Sequence, residues 1–146
     1  MTDNRASNAA AVGVADSDER AAARHDRAAD KSQARSFTID AARLMRDLHC
    51  ENVVIFDVQG LSDVTDHIII ASGTSDRQIR SVGQDVEELA EQMGLPKFGY
   101  DVDGPTTWLV LDFVDVVVHL FEPATRTHYD LEMMWDDAPR VAWQRG

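Results

Sequence analysis

The chain has 146 residues, 44% of them hydrophobic, and its 26 acidic and 14 basic residues give a formal net charge of −12. This length suits a single domain, and no apolar run approaches the roughly 18 residues that span a bilayer, so we expect no membrane segment. Such a negative charge repels phosphate backbones, so we expect no direct binding of nucleic acid and favour a basic partner protein. Taken alone, the acids could equally serve only to keep the domain soluble.

The amino-terminal part differs in composition from the rest. Residues 1–36 are dominated by Ala, Arg, Asp and Ser, and their six basic and six acidic residues cancel. Such a segment has little to bury, so we predict a disordered tail over 1–36, a folded domain over 37–138 and a carboxyl-terminal tail over 139–146. The amino-terminal residues lack the apolar stretch of a secretory signal, and the single cysteine, Cys50, fits a reducing compartment. We therefore expect a bacterial cytoplasmic location.

The first half of the domain predicts one helix and two strands. Thr38 is a suitable N-cap for a helix over about 39–49, in which apolar residues recur every three positions. The β-branched run 53–58 predicts a strand, and a turn containing Gly and Ser follows it. Consecutive isoleucines within 67–71 predict a second strand that is buried on both faces and is therefore central in the sheet.

The clearest local signal is a second helix over about 76–93. Ser75 and Gln78 have the spacing of a capping box, and apolar residues then recur at intervals of three and four. Gly94 suits the left-handed position that ends many helices, and Pro96 prevents the helix from continuing.

The second half of the domain predicts a β-hairpin. The connection 97–106 could include a short strand, and strong strand patterns follow at 108–113 and 116–121. The segment 129–139 predicts a short helix or an irregular segment that packs back on the sheet. The order α-β-β-α-β-β predicts an α/β fold, with a mixed β-sheet and helices packed on it.

One face of this hairpin is a candidate for partner binding. Only Val114 and Asp115 lie between the two strands, which predicts a tight antiparallel hairpin. One register has Phe113 and Val114 as the two turn residues. That register places six side chains on one face as three facing pairs: Asp112 and Asp115, Val110 and Val117, and Trp108 and His119. Large aromatic side chains with a polar group are frequent anchors of interfaces, yet a core Trp108 with His119 as its satisfied neighbour explains the pattern equally well. Two explanations, partner binding and packing on the sheet, likewise stay open for Tyr129, Leu131 and Trp135.

Catalysis and metal binding find little support in the sequence. The histidines and the single cysteine lack zinc-ligand spacing, so we predict no metal and no cofactor. Ser72, Thr74 and Ser75 form a strand-to-helix turn that could hold a phosphate and that loosely resembles the Gly-Ser turn of nucleotidyltransferases. Those enzymes also need closely spaced acids for Mg²⁺, and the nearest pair, Asp101 and Asp103, lies in a connection. A capped helix after a turn of small residues is the better explanation, so we predict no enzyme.

Several motifs nevertheless occur in a recognisable order: VIFDVQGLS at 54–62, TDH at 65–67, ASGTSDRQ at 71–78, Trp108 and Asp112, DVVVH at 115–119, YDLE at 129–132, and Trp135. Together they resemble the ribosomal silencing factor family, also called RsfS or Iojap, over about 37–138. The resemblance implies a nucleotidyltransferase-like fold lacking the catalytic residues. It also implies binding to large-subunit ribosomal protein fourteen, a basic protein at the subunit interface. The bound factor would then sterically block association of the small and large subunits and repress translation under nutrient limitation.

The resemblance also implies a set of partner-binding residues: Trp108, Asp112, His119, Tyr129, Leu131 and Glu132. One departure is Val114, where family hairpins commonly have glycine; a β-branched residue resists positive φ, so the turn type and the strand register could differ here. Two alternatives stay open, a nucleotidyltransferase-like enzyme acting at 72–75 and a generic protein-binding adaptor whose carboxyl-terminal aromatics hold an unrelated partner. Exposed aromatic surface could also mediate a homodimer of the free protein.

Overall fold

The structure is a computed structural model that describes residues 31–97, 99–102 and 106–145. The elements are, in chain order, helix α1 (Lys31–Asp47), strands β1 (Glu51–Asp57) and β2 (His67–Ser72), helix α2 (Asp76–Gln92), strands β3 (Gly99–Val102), β4 (Trp108–Asp112) and β5 (Val116–Phe121), helix α3 (Pro123–Tyr129) and a 3₁₀ helix (Leu131–Trp135). Residues 1–30 of the tail predicted over 1–36 lie outside the described residues. Among those that are described, no helix is both long enough and apolar enough to cross a membrane.

The strands form one five-stranded sheet in the order β1-β2-β5-β4-β3. Strand β2 runs parallel to β5, and the other neighbours are antiparallel, so the predicted mixed sheet in an α/β fold is confirmed. All six residues of β2 and all six of β5 are buried, and β2 lies between β1 and β5, which confirms that the isoleucine run is an interior strand buried on both faces. Strand β3 is the short strand that the sequence left open between 97 and 106.

Helices α1 and α2 pack together on one face of the sheet. Phe37 from α1 and Ile79 and Val86 from α2 are buried in one hydrophobic cluster with side chains of the sheet. Helix α2 approaches β4 closely because Gly83 has no side chain, and a Cβ atom there would lie 2.5 Å from Leu109 Cδ2. The close approach at this glycine fixes where α2 crosses the sheet.

Helix α1 begins earlier than predicted. It starts at Lys31, and Ala34 is already buried, so residues 31–36 belong to the folded domain rather than to the predicted tail. Thr38 is therefore not an N-cap. It lies buried inside the helix, where its Oγ1 donates to the Ala34 carbonyl at 2.8 Å. A threonine before an apolar stripe has the composition of a cap, but its hydroxyl can equally bond back to the helix.

The two long helices end in the same kind of turn. After α1, the Cys50 N–H donates to the Met45 carbonyl at 2.9 Å, and His49 takes a left-handed conformation with φ 74°. After α2, Gly94 occupies the equivalent position with φ 79°, as predicted. This arrangement is a Schellman motif, in which the left-handed residue lets the chain turn back and satisfy the last carbonyls of the helix.

The start of α2 is capped as predicted, with one difference. Ser75 is the N-cap, and its Oγ accepts the Gln78 N–H at 3.1 Å. In return, Gln78 Oε1 accepts the N–H of Thr74 rather than that of Ser75. The reciprocal pair therefore fixes the turn that leads from β2 into α2.

The carboxyl-terminal residues cover the other face of the sheet and its β1 edge. Leu131 packs with Trp108 in a second hydrophobic cluster. Beyond the predicted domain end at 138, the Val141 N–H donates to the Ile55 carbonyl at 3.0 Å, and Trp143 is buried in the first cluster. Residues 139–143 are therefore part of the domain and not the predicted tail, because they pair with the backbone of an edge strand.

Candidate docking surface

The β4–β5 hairpin carries half of the predicted partner-binding residues. Its cross-strand pairs are Asp112 with Val117, Leu111 with Val118, Val110 with His119, Leu109 with Leu120, and Trp108 with Phe121. The turn residues are Val114 and Asp115, which are the two residues between the predicted strands, but the pairing given for a turn at Phe113 and Val114 is wrong by two positions. A register shift of two residues leaves each side chain on the same face of the sheet. The predicted division of the hairpin side chains between the two faces is therefore confirmed.

Val114 lies at the centre of the hairpin turn. It adopts φ 72°, a left-handed conformation that β-branched residues resist. Across it, the Asp115 N–H donates to the Phe113 carbonyl at 2.9 Å, which forms a γ-turn. The Asp112 carboxylate accepts the Val114 N–H at 2.8 Å, and Asp112 is completely buried. Asp112 thus stabilises the turn from inside the domain.

Trp108 and His119 lie in the core of the second cluster. Neither residue has more than 1% of its surface exposed. Trp108 Nε1 donates to His119 Nδ1 at 3.1 Å. The Trp108 ring centroid also lies 4.6 Å from the centroids of both Phe121 and Tyr129. Of the two explanations that the sequence left equal, this geometry supports a core Trp108 with His119 as its satisfied neighbour.

Burial also determines the protonation state of His119. Removal from water lowers the pKa of its imidazole from 6.5 to about 3, so the ring is neutral near pH 7. Because Nδ1 accepts the Trp108 hydrogen bond, the neutral ring carries its proton on Nε2. In this state the side chain packs and accepts a hydrogen bond.

Arg126 holds the carboxyl-terminal segment against the end of β2. Its guanidinium donates to Ser72 Oγ at 2.9 Å and, through Nε and Nη2, to Glu132 Oε2 at 3.1 Å. Only 12% of the Arg126 side chain is exposed. Leu131 is buried in the second cluster, whereas Tyr129 and Glu132 keep part of their surface in solvent. Of the six predicted partner-binding residues, these two can touch a partner directly.

The sequence patterns did not single out the largest exposed apolar side chains. Among the described residues, Met133 is 73% exposed and Met134 is 58% exposed. We call the surface of Tyr129, Glu132, Met133, Met134 and Trp135 the carboxyl-terminal surface. Its order of apolar and acidic residues fits neither the period of a strand nor that of an α-helix. The sequence feature that could have identified these two methionines is a pair of large apolar residues flanked by acidic residues.

The turn at 72–75 has a structural role. Ser72 is buried, and its hydroxyl accepts from Arg126, while Ser75 caps α2. Asp101 lies in β3 opposite Val110, and Asp103 falls outside the described residues. Within residues 31–97, 99–102 and 106–145, no group of three or more His, Cys, Asp or Glu side chains is arranged to hold a metal ion.

Comparison with known proteins adds independent information. A family model described as ribosomal silencing factor during starvation matches residues 29–145. Ribosomal silencing factor RsfS of Bacillus subtilis is 32% identical over 99 residues, which cover 68% of this chain and 84% of that protein. The mouse protein named mitochondrial assembly of ribosomal large subunit protein 1 is 29% identical over 103 residues, covering 68% of this chain and 45% of that protein. A crystal structure of the Chromobacterium violaceum protein CV0518 superimposes with a TM-score of 0.66 at 25% identity, covering 77% of this chain and 92% of that one.

Proposed function

Because the chain belongs to the ribosomal silencing factor family, which silences translation at the ribosome, we propose that it binds large-subunit ribosomal protein fourteen. The bound domain sterically blocks association of the small and large subunits and thereby represses translation under nutrient limitation. The name of the mouse relative, which refers to the large ribosomal subunit, supports a partner on that subunit. We also propose a cytoplasmic location and a nucleotidyltransferase-like fold that lacks the catalytic residues.

The observation that carries this proposal is the carboxyl-terminal surface. Met133 and Met134 expose 73% and 58% of their surface at its centre. Acids stand on both sides of them in the chain: Asp130, Glu132, Asp136 and Asp137. Flexible thioether side chains adapt to an irregular partner surface, and the surrounding carboxylates complement a basic protein. An apolar centre with a polar rim is the usual composition of a protein interface.

The buried residues that the family resemblance names support the carboxyl-terminal surface from inside the domain. Trp108 packs against Tyr129 with ring centroids 4.6 Å apart, and Leu131 fixes the 3₁₀ helix on the second cluster. A surface that is rigid before binding loses less conformational entropy when the partner docks. We assign Tyr129 and Glu132 to direct contact, and the four buried residues, Trp108, Asp112, His119 and Leu131, to support.

Steric exclusion requires no reacting group. A domain that occupies the subunit-facing side of the large subunit prevents joining for as long as it stays bound. We therefore propose a non-enzymatic factor that uses no cofactor. Its net charge of −12 steers it toward a basic target, so association slows as salt screens the charges.

Sedimentation of purified ribosomal subunits tests the mechanism. We expect an excess of the full chain to reduce the fraction of joined ribosomes and to sediment with the large subunit. Subunits that join equally well in a stoichiometric excess of the protein would rule the mechanism out. Capture by purified ribosomal protein fourteen tests the partner, because a generic adaptor would stay in the supernatant. Sedimentation equilibrium of the free chain decides whether a homodimer forms.

A pair of charge reversals tests the docking surface. Asp136→Lys with Asp137→Lys changes the acids beside the methionines, and Glu88→Lys with Glu91→Lys changes exposed acids on α2, across the sheet. Both double variants alter the net charge equally, so general steering changes by the same amount. We expect the first pair to weaken binding to large subunits roughly tenfold more than the second. Equal losses would place the docking surface elsewhere.

A further inference from the structure

The sulfur atoms of the described chain differ widely in exposure. Met45 and Cys50 are buried, and Met93 is half-buried against the core. Met133 and Met134 expose 73% and 58% of their surface. The two accessible thioethers are therefore adjacent, and they lie at the centre of the carboxyl-terminal surface.

The attachment of the 3₁₀ helix explains why these two side chains point outward. Leu131 is 1% exposed and Trp135 is half-buried, so the first and last residues of the helix are attached to the second cluster. The chain between them has no other anchor in that cluster, which leaves Met133 and Met134 in solvent.

We propose that Met133 and Met134 form a peroxide-sensitive modification site whose oxidation weakens binding at the carboxyl-terminal surface. Each thioether sulfur attacks the outer oxygen of a hydroperoxide, and the O–O bond breaks as the S–O bond forms. The sulfur loses two electrons and becomes a sulfoxide. With hydrogen peroxide, the other oxygen takes both electrons and the remaining proton and leaves as water.

The charge around the site favours a neutral oxidant. Asp130, Glu132, Asp136 and Asp137 flank the two methionines in the chain. Their negative field repels anionic oxidants such as peroxynitrite but acts little on an uncharged hydroperoxide. We therefore expect hydrogen peroxide, which is uncharged, to oxidise these two methionines.

The buried sulfur atoms are protected from the same reagent. Burial raises the pKa of the Cys50 thiol to about 11, so the reactive thiolate is scarce at neutral pH, and the residue is only 6% exposed. Met45 is 0% exposed. Peroxide should therefore reach Met133 and Met134 first, then the half-buried Met93, and Cys50 and Met45 last.

The effect on binding rests on the proposed function, because the modified surface is the one through which we propose that the chain docks. A sulfoxide is polar and chiral, whereas the thioether that it replaces is apolar. A docked sulfoxide must lose its water without gaining an equivalent partner. We expect roughly tenfold weaker binding to large subunits, which is the loss of about one apolar side-chain contact. Methionine sulfoxide reductases would restore it.

Peptide mass spectrometry of the full chain after treatment with hydrogen peroxide tests the order of oxidation. We expect the peptide with Met133 and Met134 to gain oxygen before the peptides with Met93 and Met45. Oxidation of Met45 or Met93 at the same rate would overturn the assignment.

Sedimentation with large subunits tests the consequence. Peroxide should leave the affinity of the double variant Met133→Leu with Met134→Leu at that variant's own untreated value, whereas it should weaken binding by Met93→Leu as much as binding by the wild type. Unchanged binding of the oxidised wild type, or an equal loss in the treated double variant, would overturn the inference. If the untreated wild type does not sediment with large subunits, the proposed function fails, and the effect on binding fails with it. The order of oxidation is decided independently by mass spectrometry.

Discussion

Truncation of Trp108 tests whether the second face of the sheet is covered in solution. The residue is completely buried and packs on Phe121 and Tyr129, and Trp→Ala at such a site lowers the free energy of unfolding by about 3–5 kcal/mol. Domains of this kind have about 5–15 kcal/mol in total, so Trp108→Ala leaves little stability. Trp108→Phe retains an aromatic ring but removes the donor to His119 Nδ1, and a buried acceptor left without its donor costs about 1–3 kcal/mol.

Urea unfolding followed by circular dichroism measures these losses. Trp135→Phe at a half-buried position is the matched control, and we expect it to cost less than about 1 kcal/mol. A cost below about 1 kcal/mol for Trp108→Ala would refute the reasoning, because it would mean that the indole is exposed and the face uncovered. For folded Trp108→Phe we expect binding to large subunits within about threefold of the wild type. A larger loss of binding would assign Trp108 to direct contact only if the free energy of unfolding of Trp108→Phe equalled that of the wild type.

Two further predictions concern stability. Burial lowers the pKa of His119 from 6.5 to about 3, so below about 6.5 the unfolded chain takes up a proton that the folded chain does not. The free energy of unfolding should therefore fall by up to about 1.4 kcal/mol per pH unit as the pH drops toward 3. Urea unfolding at several pH values should show a smaller fall for His119→Gln than for the wild type. At the helix ends, His49→Gly should raise the free energy of unfolding and Gly94→Ala should lower it, each by about 1 kcal/mol, because glycine takes positive φ without strain. Thermal unfolding measures both variants, and a destabilised His49→Gly would contradict the proposed strain.

The sequence predicts the fold well where one local rule decides the structure. The capping pair of Ser75 and Gln78 and the glycine at 94 define both ends of α2, and the isoleucine run defines the central strand. The hairpin register depends instead on Val114, which adopts φ 72° against its intrinsic preference. A local preference cannot predict a conformation that the surrounding structure imposes, so the faces were predictable but the pairing was not.

The candidate site was harder to predict because alternation shows which side chains share a face and not what covers that face. Trp108 and His119 do share the predicted face, but the carboxyl-terminal segment covers them. That segment forms a short 3₁₀ helix, for which no long periodic pattern exists. The exposed Met133 and Met134 were missed for the same reason.

The two faces of the sheet are covered in different ways, and this difference decides what a substitution can reveal. Two long helices cover one face, so their inner and outer residues are well separated. A single thin segment covers the other face, where Leu131 points inward and Met133, two residues later, points outward. Loss of Leu131 must therefore change stability and displace the surface together, whereas loss of Met133 changes the surface alone. A variant with weaker binding therefore identifies a contact residue only when its free energy of unfolding is unchanged. Otherwise a buried residue that supports the surface, such as Trp108, would be mistaken for a residue that contacts the partner.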